Sequence, residues 1–257
     1  MDKKTQQNQS VEKAMTIIEY MAKCGKPMKL FEMSNELGIN QSTLLRFLLT
    51  LENSGYVAQE SDTSRYFLTM KLCKIANMIS GTVRMSDIVL PHIRKISETL
   101  NQSVSCAVEK DGVIVYIETV RGPQEILSTT RRIGSISPMH CTDIGKLILS
   151  DKNEKEIDEI LSRNGMTAYT QNTLTTKQQL LQELNIIKDS GYAIDNEECE
   201  IGAKCVAVPI RDYTGRIVAG ISVTGFVFNI TTDFIIENID YLMSEANEVS
   251  LKLGYKN

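Results

Sequence analysis

The sequence lacks several features that would place it in a specialised class. No stretch approaches the roughly 18 consecutive apolar residues of a membrane span, and the first ten residues, MDKKTQQNQS, are polar with no apolar run behind them. The six cysteines contain no C-x-x-C pair, which argues against a disulfide framework or a zinc knuckle. These absences predict a cytoplasmic protein that has no membrane partner.

The composition is that of an ordinary globular protein with an uneven charge distribution. The chain has 257 residues, 42% of them hydrophobic, which is enough for two compact domains. Residues 1–85 carry 11 basic and 8 acidic side chains, a balance of +3, whereas residues 86–257 carry 17 basic and 24 acidic ones, a balance of -7. The N-terminal part is therefore where a polyanion is expected to bind.

Three helices are predicted at the N-terminal end. Apolar residues recur at helical spacing over 11–22, a shorter helix fits 30–37 before Gly38, and a third begins after Asn40 and ends near residue 54. Two helices joined by a short turn that contains glycine are typical of a helix-turn-helix.

A hairpin and a connecting helix follow the three helices. Residues 56–59 and 65–68 are predicted to form two short strands, the wing, and residues 70–79 place their apolar side chains on one helical stripe. We expect three regions: a winged helix-turn-helix DNA-binding domain over 1–69, a connecting helix and linker over 70–85, and an effector domain over 86–257.

The second domain is predicted to mix strands and helices. Its first helix is expected to use Ser86 and Asp87 as the N-cap, and Asp111-Gly112 predicts a hairpin between strands 104–109 and 113–120. The resulting antiparallel sheet flanked by helices is an α+β layout. Further strands are predicted over 125–130, 204–210 and 216–226, and further helices over 143–150, 153–162, 176–189 and 232–253.

The third helix is amphipathic, and its polar face is the candidate DNA-reading surface. Leu44, Leu48 and Leu51 lie on the face opposite Arg46, whose guanidinium can pair with a guanine in the major groove. In the alternative interpretation, the residues before Leu44 only cap the helix and Arg46 is solvated. The candidate DNA contacts are Asn40, Gln41, Ser42, Thr43 and Arg46, with Arg65 from the wing.

Several motifs resemble the isocitrate lyase regulator (IclR) family over nearly the whole chain. They are Gln41-Ser42-Thr43-Leu44-Leu45-Arg46-Phe47-Leu48, Pro138-Met139-His140 with Gly145-Lys146-Leu147, and Gly191-Tyr192 followed by Asp195, Glu198, Gly202 and Cys205-Val206-Ala207-Val208-Pro209-Ile210. The resemblance implies a dimeric or tetrameric transcriptional regulator that binds double-stranded operator DNA. It also implies a GAF-like C-terminal domain that binds a small-molecule effector, an organic acid or a related metabolite. We expect no cofactor.

The same resemblance points to an effector pocket with two sides. Backbone donors at the helix start near Asp143 suit a carboxylate, and Ser222 and Thr224 lie two apart on a strand, so both hydroxyls face the same way. We therefore expect an organic or sugar acid. The residues implied are Ser137, Asp143 and Ile144 on one side, and Asp195, Ala203, Cys205, Ser222 and Thr224 on the other.

Some of these residues allow other interpretations. Asp143 could instead be the N-cap of a helix, could hydrogen-bond a polyol effector, or could bind a cation. Cys205 is equally well interpreted as a small buried apolar residue. A Cys-dependent enzyme would use Cys205, His140 and Asp195, and a metal sensor would add Asp143 and Glu198 to them. With two histidines and no C-x-x-C or H-x-x-x-H spacing, we expect neither an enzyme nor a metal site, but a metabolite-controlled regulator that acts as a repressor.

Overall fold

The structure is a computed structural model that describes residues 8–80, 84–122 and 132–256. The chain divides into two compact units, Met1–Val83 and Arg84–Asn257, and each unit has a hydrophobic core of its own. The strand predicted over 125–130 lies outside the described residues.

The first unit is a helical core closed by a two-stranded hairpin. Ile17, Met33, Leu44 and Leu48 are fully buried and bring the first three helices together. Tyr66 pairs with Met28 through a backbone bridge, so the hairpin packs on the connection between the first two helices. The elements are α1 (Gln9–Cys24), α2 (Leu30–Leu37), α3 (Gln41–Asn53), β1 (Val57–Gln59), β2 (Tyr66–Leu68) and α4 (Lys71–Ser80).

The second unit is built on an antiparallel sheet whose described strands run in the order β5-β4-β3-β8-β7-β6. Asp111 and Gly112 have φ of 54° and 81°, which is the left-handed pair that a tight hairpin between β3 and β4 requires. The elements are α5 (Met85–Leu100), β3 (Ser103–Lys110), β4 (Val113–Val120), β5 (Ile136–Ser137), α6 (Asp143–Ser150), α7 (Glu154–Asn164), α8 (Lys177–Ser190), β6 (Ala193–Asn196), β7 (Ala203–Arg211), β8 (Ile217–Phe226) and α9 (Thr232–Lys252).

The two faces of this sheet bury two separate cores. Cys106 and Val206 face a core formed with α5 and α9, whereas the neighbouring Ala107 and Ala207 face a core formed with α6, α7 and α8. Successive residues of a strand point to opposite faces, so the nearly continuous apolar runs of β7 and β8 are those of strands covered on both sides. The predicted α+β class is confirmed.

Two sequence-based expectations need correction or completion. Ser86 and Asp87 do not cap α5, because the helix begins at Met85, which packs against the core, and its N-cap Arg84 makes no side-chain capping bond. The short strands β5 and β6 were not predicted. In the part of the chain that the structure describes, no helix has both the length and the apolar character that crossing a bilayer requires.

Candidate functional site

The start of α3 is organised by Asn40. The Oδ1 atom of Asn40 accepts from the backbone N–H of Thr43 at 3.0 Å and from Oγ of Ser42 at 2.7 Å. The side chains of Leu44 and Leu48 are fully buried on the opposite side of the helix. The helix is therefore fixed in rotation about its axis, with its polar residues outward.

The polar face of α3 is exposed as the sequence predicts. Gln41, Ser42 and Arg46 are exposed and Thr43 is half-buried. Thr43 and Arg46 also line a groove of about 290 Å³ to which α1 contributes Lys13. Lys13 is not among the predicted DNA contacts, because its place beside α3 follows from helix packing and not from any local pattern.

Arg65 makes an intramolecular contact that the sequence analysis did not anticipate. Its Nη1 donates to the carbonyl of Pro27 at 3.2 Å, and the side chain is half-buried. The backbone N–H of Lys29, which donates to Glu32, and the nearby charge of Arg65 together lower the pKa of the exposed Glu32 carboxyl. Arg65 thus helps join the wing to the connection between α1 and α2, and a contact of Arg65 with DNA stays a prediction.

The second unit contains a cleft of about 310 Å³ at one end of the sheet. Of the predicted effector residues, Ser137, Asp195, Ala203 and Thr224 line it. The other described lining residues are Tyr116, Ile136, Pro138, Thr142, Tyr169, Cys199 and Glu200, of which two are aromatic hydroxyl residues that the sequence analysis missed.

The remaining four predicted residues lie outside this lining. Asp143 is fully buried, and its Oδ2 accepts a hydrogen bond from Oγ of Ser222, which is also fully buried. Ile144 packs its side chain into the core on the α6 side of the sheet, against Gly220. Cys205 is buried on β7, opposite Asp195 and Thr224 in the two neighbouring strands.

The interpretation of Asp143 as the N-cap of α6 is wrong. The N-cap is Thr142, whose Oγ1 accepts from the backbone N–H of Gly145 at 3.2 Å, and Asp143 is the first helical residue. The N–H of Ile144 donates to Oδ1 of Asp143 at 2.9 Å. Two first-turn amides expected to receive a ligand carboxylate are therefore already bonded within the chain.

One wall of the cleft is the loop 197–202 between β6 and β7. Oδ1 of Asp195 accepts from the backbone N–H groups of Glu198 at 2.8 Å and Cys199 at 3.4 Å. The hydroxyls of Thr170 and Thr173 donate to the carbonyls of Glu197 and Glu198, each at 2.6 Å. Asp195 therefore shapes this wall as well as lining the cleft.

A buried ion pair lies behind the same loop. The Lys146 side chain is 1% exposed, and its ammonium donates to Glu198 and, at 3.1 Å, to Glu183. Burial raises the pKa of Glu198 to about 7, against the attraction of Lys146. Oε2 of Glu198 is buried and has no hydrogen-bond partner among the described residues. Ionising this carboxyl is therefore costly, because burial disfavours the charged form.

Of the residues weighed for an enzyme or a metal site, Cys205 and Asp195 are paired across β7 and β6, but His140 has other neighbours. Nε2 of His140 is 3.0 Å from the carbonyl oxygen of Thr167, and its sulfur neighbour is Cys141 and not Cys205. In residues 8–80, 84–122 and 132–256, no three His, Cys, Asp or Glu side chains are grouped in a way that could hold a metal ion.

Comparison with known proteins adds family and fold relationships. Residues 10–61 match the IclR helix-turn-helix domain, and residues 81–251 match the family described as bacterial transcriptional regulator IclR C-terminal. The HTH-type transcriptional regulator KdgR of Dickeya chrysanthemi is 31% identical over 99% of this chain and 83% of its own length. The transcriptional repressor IclR of Escherichia coli is 28% identical over 97% of this chain and 92% of its own length.

A solved structure agrees with these relationships. The crystal structure of Thermotoga maritima IclR has a TM-score of 0.64 and 33% identity, covering 96% of this chain and 99% of that one. These relatives are transcriptional regulators and not enzymes.

Proposed function

The chain belongs to the IclR family of bacterial transcriptional regulators, and from this premise we propose that it binds a specific operator sequence through α3 and is controlled by a metabolite bound in the second unit. The observation that carries the DNA-binding half is the exposed polar face of α3, held outward by buried leucines. Gln41, Ser42 and Arg46 would contact base edges, and the groove-lining Lys13 would contact a phosphate. Asn40, Thr43 and Arg65 would position these groups.

The DNA-binding half is tested with the variant Arg46→Ala. A bidentate arginine–guanine contact is worth about 1–3 kcal/mol, so we expect a loss of roughly 5- to 150-fold in operator affinity and relaxed preference at one base pair. Gel-shift titrations against a fragment found by footprinting measure both quantities. Arg163→Ala, at an exposed position on α7, is the matched control and should bind as the unmodified chain does. Unchanged affinity and base preference of Arg46→Ala would refute the proposal.

The effector is proposed to bind in the cleft formed by Tyr116, Ser137, Tyr169 and Thr224. Because several hydroxyl groups and the carboxylates of Asp195 and Glu200 line it, a ligand with many hydroxyl groups is favoured. We propose a small organic or sugar acid rich in hydroxyls, with its hydroxyl groups at Ser137, Asp195 and Thr224 and its apolar edge near Ala203. Its carboxylate would point away from the carboxylates of Asp195 and Glu200, because like charges repel. The buried residues Asp143, Ile144, Cys205 and Ser222 would support the cleft from behind.

The effector half is tested by a thermal-shift screen of sugar acids, keto acids, aromatic acids and polyols. A ligand of the cleft should lose its stabilising shift in Thr224→Val, because valine has the same shape and no hydroxyl. Thr119→Val is the matched control, since the Thr119 hydroxyl has no hydrogen-bond partner in the described part of the chain and lies outside the cleft lining. An equal shift in both variants would place the ligand elsewhere.

Control of DNA binding would follow from the difference in effector affinity between two arrangements of the regulator. We propose that the regulator represses transcription, as the name of one relative states for that protein. We also propose that it acts as a dimer or tetramer. Exposed apolar side chains on α1 and α4 support this, because patches of that kind mark association surfaces.

A further inference from the structure

Two cysteines that are distant in sequence meet at the wall of the cleft. Sγ of Cys141 lies 3.2 Å from Sγ of Cys199, and the Cys199 thiol also donates to the carbonyl of Cys141 at 3.3 Å. Cys141 immediately precedes the N-cap of α6, and Cys199 lies in the loop 197–202. Cys141 is fully buried, whereas Cys199 is half-buried and lines the cleft.

We propose that Cys141 and Cys199 form a reversible disulfide that locks this wall of the cleft. A disulfide has an S–S length of about 2.05 Å, so the two sulfur atoms need to approach by about 1 Å. Rotation of the two cysteine side chains, together with a small shift of the loop 197–202, would supply a movement of that size. The other four cysteines are on α1, α4, β3 and β7.

The surroundings of Cys141 favour its thiolate form. The hydrogen bond from Cys199 lowers the pKa of Cys141 to about 6, against burial, and His140 and Lys146 add to the effect. Although burial opposes it, the thiol of Cys141 raises the pKa of His140. A thiolate near neutral pH is the nucleophile that disulfide formation requires.

The oxidant we propose is a hydroperoxide. Because Cys199 lines the cleft and Cys141 is fully buried, the hydroperoxide reacts first with Cys199. The Cys199 thiol first passes its proton to the Cys141 sulfur, to which it is hydrogen-bonded. The cleft-lining Cys199 sulfur, now a thiolate, attacks the peroxide; an S–O bond forms, the O–O bond breaks, and an alcohol or water leaves. The Cys141 sulfur then attacks the Cys199 sulfur, the S–S bond forms, the S–O bond breaks, and water leaves. Two thiols and one hydroperoxide thus give one disulfide, one alcohol or water from the first step, and one water from the second, with both thiol protons on the oxygen products.

The position of the bond determines its effect on the protein. Thr142, next to Cys141, and Glu200, next to Cys199, both line the cleft. The disulfide would therefore fix the start of α6 to the loop 197–202 and restrict any opening between them. This chemistry does not depend on the proposed regulatory function, since it involves only the chain and an oxidant.

The test uses the full chain carrying Cys24→Ser and Cys73→Ser, which removes the two cysteines outside the second unit. This background is the control, and it is compared with the same chain carrying Cys141→Ser or Cys199→Ser. Each protein is treated with hydrogen peroxide, alkylated, digested and mapped by mass spectrometry, before and after dithiothreitol. Hydrogen exchange of residues 138–146 and 197–202 is followed in parallel.

We expect the background protein to yield a Cys141–Cys199 cross-linked peptide that dithiothreitol removes, with slower exchange in both segments. Neither variant should give the cross-link or the slower exchange, although serine keeps the size of each side chain. Oxidation that stops at sulfinic or sulfonic acid on Cys199 without this cross-link would overturn the proposal. A cross-link without slower exchange would overturn the locking of the wall.

Discussion

Two buried serines are paired across adjacent strands of the sheet, and their hydroxyls differ in their partners. Ser105 on β3 is in register with Ser222 on β8, and both side chains are buried. The Ser222 hydroxyl donates to the buried carboxylate of Asp143, whereas the Ser105 hydroxyl has no hydrogen-bond partner among the described residues. The two positions therefore offer a matched comparison of a satisfied and an unsatisfied buried hydroxyl.

We predict that Ser222→Ala lowers the free energy of unfolding by about 2 kcal/mol, because it leaves a carboxylate oxygen of Asp143 buried without this donor. Ser105→Ala should be neutral or slightly stabilising, because it removes a buried polar group that gains nothing from its surroundings. Urea unfolding of the full chain measures both changes. Equal losses in the two variants would show that the bond to Asp143 contributes nothing specific.

The contacts of Asp143 also show where residue-level prediction from sequence ends. Thr142 and Asp143 are both good capping residues, so the pattern cannot say which one is the N-cap. The partner Ser222 is 79 positions away, and Cys199 is 58 positions from Cys141. Local periodicity carries no information about such contacts, because the sheet topology creates them.

Among the elements, α6 makes an unusually close approach to the segment that precedes it. A Cβ atom at Gly145 would lie 2.3 Å from the carbonyl oxygen of Met139 and 2.4 Å from Oγ1 of Thr142. Both distances are far below van der Waals contact, and Thr142 lines the cleft. Glycine at this helical position therefore lets the cleft wall fold back onto the helix that supports it.

We predict that Gly145→Ala destabilises the protein by about 1–3 kcal/mol through overpacking, although alanine ordinarily stabilises a helix relative to glycine by about 1 kcal/mol. Thermal unfolding, with hydrogen exchange over residues 139–146, measures the effect. Ser162→Ala, an exposed helical position on α7, is the control and should change stability little. A stabilised Gly145→Ala protein would mean that the segment moves aside without cost.

The elements that the sequence predicted best are those with strong local signals. Gly38 with a left-handed φ of 63° ends α2 at Leu37, and Asp111-Gly112 places the β3–β4 turn. The strands β5 and β6 were missed because they are only two and four residues long, too short for alternation to stand out. The cleft shows the same contrast. Its four predicted lining residues were identified through the family resemblance, whereas its two tyrosines could be identified only from the three-dimensional structure.

At the scale of the whole molecule, the charge is divided between the two units, whereas both units carry exposed apolar side chains. Residues 1–83 carry 10 basic and 8 acidic side chains, a balance of +2, whereas residues 84–257 carry 18 basic and 24 acidic ones, a balance of -6. A basic excess suits a unit that binds DNA. Within the first unit, α1 exposes Val11 and Met15 at 60% and 50%, and α4 exposes Met78 and Ile79 at 64% and 57%. If these faces of α1 and α4 were exposed to water in a monomer, we would expect polar side chains on them.

We therefore predict that the chain sediments at two or four times its mass of 28.8 kDa, and that Met78→Glu with Ile79→Glu shifts the mass toward that of a single chain. A charged side chain in an apolar contact between copies loses hydration without gaining a partner, which weakens association. Ser162→Glu, at an exposed polar position on α7, is the control. A chain that sediments at 28.8 kDa at every concentration would contradict an oligomer built on α4. If the double variant does become monomeric, its operator affinity should fall as well, because two half-sites are then no longer bound together.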